Sequence, residues 1–183
     1  MSPLEETDVA LISPEIQLRP ATPDDASLVH ALYLKTPAYF EIISIPLPSL
    51  FEVEMELSAG ENDLRRFTEL VLLLAPNSSL PQGAQFDPIT GLRVVGYLDY
   101  KLDYPGQGDA TVNLLLIEEG CQGKGIGRRV MSDLEGRLQG RVSRVLASIY
   151  GRNPGAERFW TSLGYVFAID AQPVLDWYAK ELT

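Results

Sequence analysis

Hydrophobic and polar positions along the chain follow two periods, which together predict strands and helices in alternation. Residues that alternate in polarity, or that run apolar between turn-forming residues, predict strands. These strands span residues 16–19, 70–75, 94–104, 110–117, 142–150, 165–169 and 175–182. Apolar residues spaced three and four apart predict helices. The helices begin near Thr22, near Ser49, within the glycine-rich segment 122–129 and at Asn153, and the first of them ends before Pro37.

The connections between the predicted strands indicate how they pair. No helical pattern lies between strands 70–75, 94–104 and 110–117, which predicts an antiparallel meander. A helix lies between strands 110–117 and 142–150, which predicts a right-handed parallel crossover. The chain is therefore predicted to be of the α/β (α+β) class, with a mixed and mostly antiparallel sheet of about six to seven strands flanked by about four helices.

Three segments are harder to assign. Residues 37–48 are apolar and contain three prolines, and we expect them to form a covering loop. Residues 51–57 alternate as an exposed strand would, but Ser49 with Glu52 three residues later forms a capping box, which favours a helix. Residues 76–91 are rich in turn formers and are predicted to form a long loop.

Length and composition limit the domain organisation. A chain of 183 residues, 45% of them hydrophobic, is the size of one domain with a substantial core. Residues 1–13 show no periodic pattern and are expected to form an N-terminal extension to a domain of residues 14–183. No apolar run approaches the roughly 20 residues that span a bilayer, and the acidic start differs from a basic leader. We therefore expect a cytoplasmic protein without membrane contact.

Charge and cysteine content exclude several kinds of site. Cys121 is the only cysteine, so an internal disulfide is impossible, and no Cys/His cluster suggests a metal. The formal net charge of −10 argues against nucleic acid as a partner, because phosphates demand a basic surface. It favours small cationic partners such as amines. The sequence leaves open whether the chain acts alone or as a homodimer.

The segment 122–129 carries the clearest chemical signal. It follows an apolar strand and opens an amphipathic helix, and its glycines let the backbone turn sharply and expose amides. The unpaired N–H groups and the positive dipole end of a helix N-terminus attract phosphate. Lys124, Arg128 and Arg129 place three cations there in an acidic chain. The segment is therefore predicted to bind a phosphate or pyrophosphate.

Spacing rules out two common nucleotide-binding motifs. A P-loop requires a lysine followed by serine or threonine, whereas Lys124 is followed by Gly125. A Rossmann fingerprint requires glycine at its last position, where counting from Gly123 gives Arg128 and counting from Gly125 gives Val130. The phosphate ligand must therefore be recognised by another motif.

Gln122, Gly125 and Gly127 resemble the acetyl-CoA motif of the GNAT acetyltransferase superfamily, in which Gln or Arg is followed at fixed spacing by Gly and by Gly or Ala. A second segment resembles the superfamily's later motif, where a strand leads to a short helix and a Gly-aromatic pair. Its matching residues are Ile149, Asn153, Ala156, Phe159, Trp160, Gly164 and Tyr165. The resemblance extends from about residue 16 to the C-terminus and implies a GNAT-like single domain that uses acetyl-CoA.

By this resemblance, acetyl-CoA lies between two strands that splay apart. Its pantetheine arm is implied to pair with the backbone of Leu115, Leu116 and Ile117. Asn153 matches a position that often contacts this arm, and it is equally suited to cap the helix that begins beside it. The pyrophosphate is implied to bind the amides of Gln122, Gly123, Lys124, Gly125, Ile126, Gly127 and Arg128.

The implied reaction is direct attack of a neutral primary amine on the thioester, with the oxyanion held by a backbone N–H near Ile117. An alkylamine, with a pKa near ~10.4, is mostly protonated at neutral pH, so a carboxylate should help to remove its proton. The candidate bases are Glu118, Asp99 and Glu41.

The acceptor pocket has three predicted residues. By resemblance, Tyr39 and Phe40 contribute to it from the region between the first two helices, and Asn113, a polar residue in an apolar strand, is expected to face the same cavity. The acceptor stays open between a small cationic amine, a peptide N-terminus, a lysine and an antibiotic.

One residue departs from the superfamily's pattern. Trp160 stands where a tyrosine frequently protonates the departing thiolate. Because a thiol has a pKa near ~8.5, thiolate is an acceptable leaving group near neutrality, and Tyr150 and Tyr165 are alternative donors. The departure leaves a second hypothesis open, namely a catalytically impaired acyl-CoA-binding or regulatory module of the same fold. A purely structural role would not require Gly125 and Gly127.

Overall fold

The computed structural model of the protein describes residues 15–74, 81–171 and 175–182. Within them the strands are β1 (Ile16–Pro20), β2 (Arg66–Leu73), β3 (Gln85–Phe86), β4 (Arg93–Leu102), β5 (Asp109–Ile117), β6 (Arg144–Tyr150), β7 (Val166–Ala171) and β8 (Leu175–Glu181). The helices are α1 (Ala26–Leu34), α2 (Pro37–Ile43), α3 (Leu50–Glu61), α4 (Ile126–Leu138) and α5 (Pro154–Ser162). The predicted extension 1–13 lies outside the described residues.

The strands form one mixed sheet in the order β1-β2-β4-β5-β6-β8-β7, with β3 paired to β4. Every described pair is antiparallel except β5 with β6. The predicted meander of β2, β4 and β5 is confirmed, as is the parallel pairing of β5 and β6 across α4. The predicted fold class is therefore confirmed, with eight strands and five α-helices in the described residues rather than about six to seven strands and about four helices.

Helices cover both faces of the sheet. Alternate residues of β2 belong to different cores, since Leu70 packs with α1, α2 and α3 whereas Val71 packs with α4 and α5. A strand buried on both faces reads as a continuous apolar run, which explains why β2 and β5 lack simple alternation. No helix among the described residues combines the length and the hydrophobicity needed to cross a membrane.

The capping box that favoured a helix over a strand is present at the start of α3. The Ser49 hydroxyl accepts a hydrogen bond from the Glu52 amide at 3.3 Å, and the Glu52 carboxylate accepts one from the Ser49 amide at 2.7 Å. Val53 and Leu57 are buried on the inner side of the helix. The local cap therefore outweighed the alternating pattern.

The segment predicted as the covering loop, 37–48, contains a helix, so this part of the prediction is wrong. Pro37 occupies the first turn of α2, where a proline costs no hydrogen bond, and Ser44 ends the helix in the left-handed conformation at φ 57°. Phe40 is buried from α2 against Tyr33. The later prolines, Pro46 and Pro48, obscured a helix of only seven residues.

Two further boundaries differ from the prediction. Strand β2 begins at Arg66, four residues before the predicted start at residue 70, because the polar side chains of its first half have partners inside the fold. The predicted loop 76–91 includes the short strand β3, which pairs with the start of β4, and residues 75–80 of the predicted strand and loop lie outside the described part.

Gly96 allows β4 and β5 to approach closely. A Cβ atom on Gly96 would lie 2.6 Å from the Leu116 carbonyl oxygen and 2.8 Å from the Ile117 side chain. These atoms belong to the end of β5, which the Glu118 amide fixes by donating to the Val95 carbonyl at 2.8 Å.

We expect Gly96→Ala to lower the free energy of unfolding by about 1–3 kcal/mol, because the added methyl group must push β5 away from β4. Urea unfolding followed by tryptophan fluorescence measures the change. Gly136→Ala is the matched control, since nothing lies near this helical glycine and alanine should stabilise α4 by about 0.5–1 kcal/mol. Equal stability of the two variants would contradict the close approach.

Candidate active site

Strands β5 and β6 pair over only part of their length. Their parallel register runs from Asp109 with Arg144 to Val112 with Ala147. Beyond that point both strands are described, but they no longer pair with one another. Asn113 is the next residue of β5, and it is the extra residue in a register shift against β4, where Asp99 pairs with Leu114 and Tyr100 with Val112. Because such a bulge bends its strand, β5 turns away from β6 where pairing ends.

The glycine-rich turn lies at the end of β5. A short 3-10 turn, Glu119–Cys121, leads to Gly123 at φ 72° and Gly125 at φ 80°, and α4 starts at the next residue. These left-handed conformations suit glycine because a side chain would be strained there. Gly125 is the N-cap and has no side chain to bond the first amides of α4, so these N–H groups are available to a ligand.

The side chain of Gln122 connects the turn to the strand. Its Nε2 donates to the Ile117 carbonyl oxygen at 2.9 Å. The Ile117 carbonyl therefore points away from β4, toward the open side of β5. A glutamine here fixes the turn against the last residue of the strand, which is a physical reason for this residue type at this position.

A cleft of about 740 Å³ opens where β5 and β6 separate. The glycine turn and the start of α4 form one wall, and α5 and α2 form the others. Its lining residues are Thr36, Ala38, Tyr39, Ile42, Leu115, Leu116, Ile117, Glu119, Cys121, Gln122, Gly123, Gly125, Ile126, Gly127, Arg128, Asn153, Gly155, Ala156, Phe159 and Trp160.

Helix α5 packs closely against α4 across the cleft. A Cβ atom on Gly127 would lie 3.2 Å from the Phe159 ring, so glycine permits the short distance between the two helices. The Asn153 side chain accepts a hydrogen bond from the Ala156 amide at 3.0 Å and caps α5. Asn153 also lines the cleft, so the capping role and a ligand-binding role are compatible.

The predicted cofactor residues converge on this cleft with one exception. Ten of them are among the lining residues, from Leu115 to Ile117 on β5, through the turn, to Asn153 on α5. Lys124 is exposed, and its ammonium donates to the Gly120 carbonyl oxygen at 2.8 Å. The Arg128 guanidinium donates to the Ser162 hydroxyl at 3.1 Å, which holds it between α4 and the end of α5.

The three predicted acceptor residues have different positions. Tyr39 lines the cleft, and burial raises the pKa of its hydroxyl to about 12. Phe40, the next residue of α2, is buried in the core. Asn113 is outside the lining, and its amide donates to Asp99 at 3.1 Å.

The three predicted bases are also outside the cleft lining. Glu118 is buried and forms ion pairs with Lys35 at 3.3 Å and with Arg93 at 2.9 Å. Asp99 is 2% exposed and accepts hydrogen bonds from Arg66. Glu41 is exposed on α2.

The aromatic residues considered as proton donors differ in their access to the cleft. Trp160 lines it. Tyr165 is fully buried, donates to the Glu135 carboxylate at 3.0 Å and has a raised pKa because of burial. Burial also raises the pKa of Tyr150, which is outside the lining. Tyr39 is thus the tyrosine hydroxyl that the described cleft lining contains.

Sequence reasoning found one wall of the site only in part. Tyr39 was predicted for the acceptor pocket, but the helix that brings Ala38 and Ile42 to the same wall was not, because 37–48 was predicted to be a loop. A polar cluster of Glu56 on α3 with Arg66 and Asp99 was also missed. A signal for it existed, since Glu56 lies three residues after the buried Val53 and four before the buried Gly60, and so on the buried side of α3. The described residues contain no group of three or more His, Cys, Asp or Glu suited to a metal ion.

Comparison with known proteins gives a family match. Residues 47–165 match the model of the acetyltransferase (GNAT) family. A solved acetyltransferase from Thermus thermophilus is 36% identical in sequence, with a TM-score of 0.80, and the match covers 93% of this chain and 99% of that one. A search of curated protein sequences finds no match.

More distant solved structures share the fold. A domain from Methanocaldococcus jannaschii is 21% identical with a TM-score of 0.71, over 92% of this chain and 99% of that one. A spermidine N-acetyltransferase from Vibrio cholerae, solved with CoA and spermine, is 15% identical with a TM-score of 0.65, over 91% of this chain and 95% of that one.

Proposed function

Because the chain belongs to the acetyltransferase (GNAT) family, we propose that it moves an acetyl group from acetyl-CoA to a primary amine by direct attack. One observation carries the proposal: the strand edge left open between β5 and β6 ends at a glycine turn whose helix amides have no side-chain cap. A ligand that combines an amide-bearing arm with a diphosphate matches this pair of features. Coenzyme A is such a ligand.

The backbone of β5 supports the position of the thioester. Glu118 donates its amide to β4, and alternate residues of a strand direct their N–H groups to opposite sides. The Ile117 amide therefore faces the open edge, as the bond from Gln122 to the Ile117 carbonyl also indicates. In the proposed reaction this amide holds the oxyanion of the tetrahedral intermediate.

The glycine turn would hold the diphosphate through main-chain amides of residues 122–128. Gly125 and Gly127 leave the helix N-terminus bare, and the Arg128 side chain lies beside the cleft. The local positive charge opposes the net charge of −10 and attracts an anion to this point. Asn153 would contact the arm of the cofactor from α5.

The acceptor is proposed to be a small cationic amine or a peptide amine. The acidic chain and the cleft-lining Tyr39 support this class, and spermine is held by the Vibrio cholerae relative. Thiolate leaves as such or takes a proton from water, because Trp160 is too weak an acid and burial raises the pKa of the Tyr39 hydroxyl to about 12. The second candidate, a binding module without turnover, is favoured by Trp160 and by the position of the three predicted bases outside the cleft lining.

We expect the protein to release free CoA thiol when acetyl-CoA is incubated with a panel of spermidine, benzylamine, a lysine-containing peptide and an aminoglycoside. Thiol-reactive dye measures release, and Cys121, which is 3% exposed, contributes little at catalytic protein concentration. Samples without amine give the background hydrolysis. Tight acetyl-CoA binding by calorimetry with no amine-dependent thiol would instead identify the module.

We expect Gly125→Val and Gly127→Val each to raise the Kd for CoA at least tenfold, equivalent to about 1.4 kcal/mol. Valine at 125 strains the left-handed turn, and valine at 127 meets the Phe159 ring and covers the amides. Calorimetry measures Kd, and circular dichroism checks folding. Gly136→Ala, on the same helix but away from the turn, should bind normally. Unchanged affinity for CoA in folded valine variants would refute the proposal that the glycine turn binds the diphosphate.

A further inference from the structure

A cluster of charged side chains lies beside the cleft on the α1–α3 face of the sheet. Arg66 of β2 is its centre: Nη2 donates to the Glu56 carboxylate at 3.0 Å, and Nη2 and Nε both donate to Asp99. Tyr33 of α1 interacts with Glu56, and the buried Tyr97 hydroxyl lies in the electrostatic field of both acids. We refer to Glu56, Arg66 and Asp99 as the Arg66 cluster.

Asp99 is fully engaged within the Arg66 cluster. Its two oxygens accept from Arg66 Nε at 3.2 and 3.1 Å, one of them accepts from Arg66 Nη2, and Asn113 donates at 3.1 Å. Only 3% of its side chain is exposed. A carboxylate with this many donors is fixed in place and in turn fixes the position of Arg66. Its oxygens therefore leave little room for contact with a further ligand.

Glu56 is the less engaged acid. Arg66 is the one charged group that bonds it among the described residues, and 34% of the Glu56 side chain is exposed. Burial has the largest influence on the pKa of Glu56 and raises it. The charge of Arg66 and the contact from Tyr33 lower this pKa, whereas the charge of Asp99 raises it. The net direction is upward. A carboxylate with a raised pKa takes a proton more readily than an ordinary surface glutamate.

Glu56 is itself outside the cleft lining and is connected to the cleft through neighbouring residues. Tyr39 lines the cleft, and its hydroxyl is under the electrostatic influence of both Glu56 and Tyr150. On the other side, Asn113 joins Asp99 to the point on β5 where the cleft begins. The groups facing Glu56 thus come from α1, α2, β2 and β4, namely Tyr33, Tyr39, Arg66, Tyr97 and Asp99.

The charge of the surroundings suits a cation. With both acids ionised, the Arg66 cluster carries one net negative charge, which a single ammonium would neutralise. The segment 36–64, which forms α2 and α3, contains six acidic residues and no Lys or Arg. The acids are Glu41, Glu52, Glu54, Glu56, Glu61 and Asp63. A protonated amine is therefore attracted to this side of the cleft.

We propose that Glu56 binds the acceptor's ammonium group and takes its proton, and that Arg66 and Asp99 are positioning residues that hold the Glu56 carboxylate. This inference rests on the proposed acetyl transfer. The ammonium gives one proton to Glu56, and the neutral nitrogen attacks the thioester carbon. The C–S bond breaks as the intermediate collapses. The nitrogen loses its second proton and the thiolate takes up one proton. Glu56 then gives the proton that it accepted to water.

The test compares Glu56→Gln with the wild type, using the panel alkylamine that gives the highest rate and, in parallel, hydroxylamine. Hydroxylamine is largely unprotonated at neutral pH and needs no base, and its uncatalysed reaction is subtracted. We expect Glu56→Gln to lower kcat/KM for the alkylamine at least a hundredfold and for hydroxylamine less than tenfold. The wild type should lose activity as the pH falls through the Glu56 pKa, because the protonated acid cannot accept a proton, and the variant should lack that limb.

Two controls keep the outcomes separate. Asp24→Asn, exposed in the turn just before α1 and outside the acidic segment 36–64, should leave both rates within about twofold, and Kd for CoA should be unchanged in Glu56→Gln. Glu56→Asp, which keeps the acid but shortens its reach, should recover part of the alkylamine rate. Failure of the wild type with every amine would overturn the proposed function itself. If the wild type is active, three results for Glu56→Gln would overturn the role of Glu56 alone. They are an unchanged alkylamine rate, an effect confined to KM, and an equal loss of rate with both nucleophiles.

Discussion

Strands β5 and β6 separate after four residue pairs, and the rest of the structure is arranged around the backbone groups that this separation leaves unpaired. Buried main-chain N–H and C=O groups without partners are costly, so an open strand edge inside a sheet needs water, a side chain or a ligand. Gln122 supplies one partner by bonding the Ile117 carbonyl. The remaining groups of this edge line a cleft, which is where an amide-bearing ligand is most favourably bound.

Chain connectivity brings the phosphate-binding features to the same place. The crossover from β5 to β6 must begin where β5 ends, so the first turn of α4 faces the mouth of the gap. Close packing then requires small residues at two contacts: Gly96 lets β4 approach the end of β5, and Gly127 lets α4 approach Phe159. The open edge and the bare helix N-terminus are therefore consequences of one topology, which explains why a local glycine motif was informative about a site built from distant strands.

The features that could be predicted from sequence are those carried by neighbouring residues. The capping box at Ser49, the glycine turn and the cap at Asn153 are each made by residues only a few positions apart, and each formed as predicted. The partners of the charged side chains could not be predicted in this way. Asp99 is 33 residues from Arg66, and Glu118 is 25 residues from Arg93, so their ion pairs depend on strand pairing rather than on local pattern. The same dependence hid Glu56 as a candidate.

Charge is distributed unequally between the two faces of the sheet, and this distribution has a mechanistic consequence. Arg128 and the helix N-terminus lie with α4, whereas the acids of α2 and α3 lie on the opposite face. Under the proposed function, an anionic cofactor and a cationic acceptor are each attracted to their own side and repelled from the other. The gap between β5 and β6 is the passage that joins the two sides. Separation of the strands would therefore supply both the binding edge for the thioester and the opening through which the amine reaches it.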